Sequence, residues 1–153
     1  MSRFALLATS LLAIAVVPAH AQAPAVTVWF TAPQGDVSDK IALLCADQQA
    51  TVVEQDDRHV LCTRPMTGIA AAYAFGGGRG ASAPQLMVRF SLLKDRTSTR
   101  VQAAQWVENQ SAMGQVRRSE LNSSKQRASL EDKLIAAGGH NYPPDDLPPV
   151  ANP

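Results

Sequence analysis

Glu54, Asp56, Asp57 and His59 crowd into six residues and are of the types that bind cations or relay protons. A calcium loop needs its oxygen ligands in the order D-x-[DN]-x-[DN]-G, and Asp56-Asp57 does not supply it. Aspartates between two apolar runs have a simpler use, accepting hydrogen bonds from the backbone of a tight reversal, and that role is expected here. The other chemical candidates thin out quickly. Downstream of the leader described below only His59 and His140 remain as histidines, no serine sits in G-x-S-x-G, and there is no H-E-x-x-H. Gly76, Gly78 and Ala81 fit G-x-G-x-x-[GA], but Pro84 arrives before a helix can open, so no dinucleotide site is expected. No catalytic residue, metal or cofactor is assigned. The chain reads as non-enzymatic, and the alternative is a small envelope hydrolase with an unrecognised site.

A set better suited to binding lies in Gln85 to Asn109, which reads as one long β-hairpin. Leu86, Val88, Phe90 and Leu92 alternate with Gln85, Met87, Arg89 and Ser91. Beyond a turn at Lys94 to Ser98, Val101, Ala103, Gln105 and Val107 alternate with Arg100, Gln102, Ala104 and Trp106. One face of the hairpin is therefore apolar, and the other carries Arg89, Arg100, Gln102 and Trp106. Guanidinium and aromatic groups on one sheet face suit anions, sugars or a partner protein. Arg79, in the Gly76 to Gly80 loop, and Arg117 and Arg118, after the second strand, complete the predicted site. From Arg79 to Arg127 there are nine basic and three acidic residues. The predicted partner is thus an acidic envelope component or an acidic protein surface.

The start of the chain sets the expected compartment. Met1-Ser2-Arg3 precedes an apolar run from Phe4 to Val17, then Pro18 and the A-x-A site Ala19-His20-Ala21, with Ala21-Gln22-Ala23 as an alternative. This is the pattern of a secretory signal peptide, and the run is short for a membrane span. A periplasmic or secreted protein with no transmembrane span after processing is expected, and export argues against a nucleic-acid partner. Cleavage removes one charged residue, Arg3, leaving 13 basic and 13 acidic residues and no net charge. Bulk charge therefore selects no partner. A single cysteine pair in an exported chain predicts a Cys45–Cys62 disulfide.

These residues need a framework to position them. Ala25 to Phe30 alternates as a first strand. A helix capped by Asp36 and running to about Gln49 carries Val37, Ile41, Leu44 and Cys45 as a buried stripe. Thr51 to Cys62 reads as two strands around Gln55 to Arg58, with Val60 and Cys62 sharing a face. Residues 67 to 74 are expected to form a short helix, and Gln110 to Leu121 shows little periodicity. Ser123 and Gln126 fit a capping box opening a helix to about Ala137, and Gly138-Gly139 stops it. The result is one α+β domain over residues 22–140, preceded by the leader (1–21) and followed by a proline-rich, extended tail (141–153). Its antiparallel sheet of four to five strands has two helices on one face, in the order β-α-β-β-loop-β-β-α. This order resembles the helix-grip and TATA-binding-protein-like modules.

Overall fold

The computed structural model describes residues 26–67, 83–110 and 113–144. The leader, the helix expected near residues 67 to 74, the glycine-rich loop with Arg79, and the end of the tail lie outside the described residues. The elements are β1 (Val26–Phe30), α1 (Gln34–Asp47), β2 (Thr51–Gln55), β3 (His59–Pro65), β4 (Gln85–Asp95), β5 (Ser98–Gln110), β6 (Val116–Glu120) and α2 (Ser124–Ala136). The sheet has six antiparallel strands in the order β1-β5-β4-β3-β2, with β6 also paired to β5. The expected α+β antiparallel architecture is present, and among the described residues its sheet has six strands where about four to five were expected. The additional strand is β6, all five of whose residues are exposed. With no buried row it has no apolar alternation, and the edge of β5 holds it as a strand.

The anticipated hairpin is present, with eleven cross-strand partners from Gln85↔Glu108 to Asp95↔Ser98. Its reversal is tighter than expected: Lys94, Asp95 and Ser98 join the ladder, and Arg96 takes a positive φ of 51°. Cross-strand pairing carries the apolar face through the sheet, as in the row Val26, Ala103, Phe90, Val60. On this face pack Val37, Ile41 and Cys45 of α1 and Leu130 and Leu134 of α2, and together they form the buried core. Both helices thus cover one face, because the alternation presents only one apolar side.

Helix α1 begins earlier than anticipated. Its N-cap is Pro33, with no side-chain cap, and Asp36 lies in the first turn, where a carboxylate favours the helix dipole. The Gln34 amide instead donates to the Leu92 carbonyl at 3.0 Å, and the Ser38 hydroxyl to that of Asp56 at 2.9 Å. Cys45 and Cys62 form the disulfide that ties α1 to β3. Helix α2 opens with the expected Ser123/Gln126 capping box. It closes through Gly138, whose φ of 98° lets its N–H and that of Gly139 return to Ile135 and Leu134. His140 then exchanges two backbone hydrogen bonds of 2.8 Å with Trp29, so this segment lies along the outer edge of β1.

Candidate functional site

Two strands share one edge of β5. β1 pairs with its first half, ending at Val26↔Ala103, and β6 with its second, ending at Trp106↔Glu120. They lie end to end, with Ala104 and Gln105 at the junction. There the Leu121 N–H donates to the Gln105 carbonyl at 3.0 Å, after which the chain leaves the sheet for the N-cap of α2. A cleft of about 460 Å³ opens at this junction. Ala104 is exposed on its floor between Gln102 and Trp106 along β5, with Arg89 opposite it on β4. A methyl group between longer side chains leaves the recess. Arg118, Glu120 and Asn122 line one side, while Val26, Ala103, Arg127 and Leu130 contribute from the helix-bearing face, so the cleft passes around the free edge of β5 between β1 and β6.

The electrostatics divide the arginines. The Arg118 Nε donates to Glu108 Oε2 at 3.0 Å, and the Trp106 indole N–H donates to the same oxygen at 3.1 Å. The Arg118 guanidinium also lies 5.3 Å from the centre of the Trp106 ring, within cation–π range. Glu108 therefore offsets the charge of Arg118 and holds the indole in place. Arg89 and Arg127 have no carboxylate partner among the described residues. Of the groups lining the cleft, Glu120 is the acidic one.

The predicted site residues divide accordingly. Arg89, Trp106 and Arg118 meet in the cleft. Arg100 lies on the same sheet face but six residues from Trp106, roughly 20 Å along the strand, and is not part of the lining. It pairs across the sheet with Trp29 and Leu93. The Trp29 indole N–H and Arg100 Nε are both buried without an acceptor among the described residues. Arg117 pairs with Asn109, which alternation places on the helix-bearing face, so Arg117 and Arg118 point to opposite sides of the sheet. Arg79 is outside the described residues. Sequence reasoning did not single out Glu108, Glu120, Asn122 and Arg127 as site residues. Glu108 and Glu120 left a local signal, each standing two residues from a predicted site residue, Trp106 and Arg118.

The Glu54–His59 cluster serves its turn. Asp56 Oδ1 accepts the backbone N–H groups of Arg58 at 2.7 Å and His59 at 2.8 Å. These two bonds hold the Asp56 carboxyl below the usual aspartate value, Arg58 contributing most. The His59 ring lies between two carboxylates, with Nε2 3.1 Å from Glu54 Oε2 and Nδ1 3.0 Å from Asp56 Oδ1. Ser91, which lines the cleft, is the cross-strand partner of His59. A serine–histidine–aspartate relay requires one ring nitrogen to face the serine. Here both face carboxylates.

Among the described residues no group of three or more His, Cys, Asp and Glu is disposed to hold a metal ion, and no helix is long and apolar enough to cross a membrane. No protein-family model, curated protein or solved structure matches the chain.

Proposed function

We propose that this protein is a non-catalytic binding or interaction module of the cell envelope, and that the cleft at the β1/β6 junction receives an acidic group of its ligand or partner. The observation that carries this reading is that Arg89, next to the fixed Arg118/Trp106 wall, and Arg127, entering from the helix-bearing side, have no carboxylate partner among the described residues. Guanidinium groups left without a carboxylate keep their directional N–H donors for one. The volume falls within the range of about 300–1,000 Å³ common to ligand sites. Export, read from the leader sequence, places the acidic ligand in the envelope.

The test is a pull-down of the mature protein from envelope extract, comparing wild type with Arg89→Ala/Arg127→Ala and Trp106→Ala. Capture should fall in both variants and weaken as salt screens the exposed charges. Normally folded variants that retain every wild-type partner at all salt concentrations would refute this reading.

The class-different reading is a small hydrolase, favoured by the Ser91–His59 pairing. It predicts turnover of generic ester, peptide or glycoside substrates that Ser91→Ala and His59→Ala abolish. The occupation of both His59 nitrogens by carboxylates ranks it second.

A further inference from the structure

We infer that the group bound in this cleft is an acidic sugar unit, a pyranose ring bearing one carboxylate; the inference rests on the reading of the cleft as a binding site. A bare anion needs only donors around it. This cleft mixes donors with acceptors: the amides of Gln102 and Asn122, the Ser91 hydroxyl and the Glu120 carboxylate stand beside the guanidinium groups. The Glu120 carboxylate repels a simple anion, but it accepts from a hydroxyl group. A ligand with several hydroxyls uses both kinds of group, since each hydroxyl donates once and accepts twice.

The charge balance indicates how many negative groups the ligand brings. With Arg118 offset by Glu108, the cleft retains Arg89 and Arg127 against Glu120, a surplus of one positive charge. One carboxylate matches it. The aromatic wall supplies the apolar surface that the C–H faces of a sugar ring need. The Trp106 indole is fixed from two directions, by its hydrogen bond to Glu108 and by Arg118 against its ring, so little further ordering is required on binding. Antiparallel register sharpens the arrangement. Because Leu121 and Gln105 share a backbone hydrogen bond, the neighbouring Trp106↔Glu120 pair is of the non-hydrogen-bonded kind, whose side chains approach closest. The acceptor of sugar hydroxyls therefore stands beside the aromatic wall.

The experiment titrates the purified mature protein with glucuronate, glucose, acetate and inorganic phosphate, following the two indole N–H resonances by NMR. Trp29, whose partner Arg100 stands six residues from Trp106 along β5 and which does not line the cleft, is the internal reference. Glucuronate should shift the Trp106 resonance saturably, and glucose and acetate should each bind at least about tenfold more weakly, having lost the charge-assisted or the hydroxyl contacts. Ala104→Leu fills the recess at an exposed position and should abolish the shift while leaving the fold and the Trp29 resonance unchanged. A short oligouronate that binds more tightly than the monomer would mark a polymer as the source, whereas equal affinity would mark the free acid. If acetate or phosphate matches glucuronate, the sugar inference fails and anion binding stands. If glucose matches it, the carboxylate requirement fails. If no probe moves Trp106, the sugar inference also fails, and the pull-down with Arg89→Ala/Arg127→Ala decides separately whether the cleft binds an acidic partner.

Discussion

Reducing the Cys45–Cys62 bridge releases a cross-link between residues 17 apart in sequence. The chain-entropy relation assigns a loop of this length roughly 3 kcal/mol, acting through the greater freedom of the unfolded chain. For a domain of about 100 residues each kcal/mol moves Tm by at least about 4 °C, so the reduced protein should melt roughly 12 °C lower. It should remain folded at room temperature. Helix α1 is still held by Val37 and Ile41, both wholly buried, and by the bonds from Gln34 and Ser38 to the sheet. Circular dichroism melts with and without reductant give the comparison. Cys45→Ala/Cys62→Ala separates two contributions, because it removes sulfur volume as well as the bond. The sulfurs are buried at the base of a small open recess of about 30 Å³, and removing them takes away packing atoms at a cost. The alanine pair should therefore melt below the reduced parent. A reduced protein that melts within a few degrees of the oxidised one would refute the cross-link argument. An alanine pair more stable than the reduced parent would refute the packing argument.

Three further outcomes are expected. Gly139→Ala places a Cβ 2.9 Å from the Leu134 carbonyl oxygen and 3.2 Å from the Phe30 ring; it should cost about 1–3 kcal/mol by overpacking, read from denaturant midpoints. Ser123→Ala removes the hydroxyl that accepts from the Gln126 N–H and should cost about 1 kcal/mol; the same titration checks it, with Ser123→Asp expected to restore most of the loss. Because the Asp56 value is lowered on folding, its contribution is present above the ordinary aspartate value of 3.8 and is lost as pH falls through the lower folded value. Wild type should therefore lose more stability on acidification through this range than Asp56→Asn, and parallel acid titrations of the two proteins would show it.

Local patterns carried much of the architecture. Period-two alternation in Gln85 to Asn109 identified the hairpin and the face on which Arg89 and Trp106 stand, since adjacent side chains on a strand must point to opposite sides. Ser123 and Gln126 marked the start of α2 because a capping box is a contact over three residues, and the lone cysteine pair marked the disulfide. Tertiary pairing decided the rest. Val116 to Glu120 has no buried face to leave a pattern, and it is a strand because β5 extends beyond β1 and offers an unoccupied edge. That same end-to-end placement opens the cleft at Ala104 and brings Arg127 to it from a helix later in the chain. These are consequences of register between segments distant in sequence, and no local spacing encodes them.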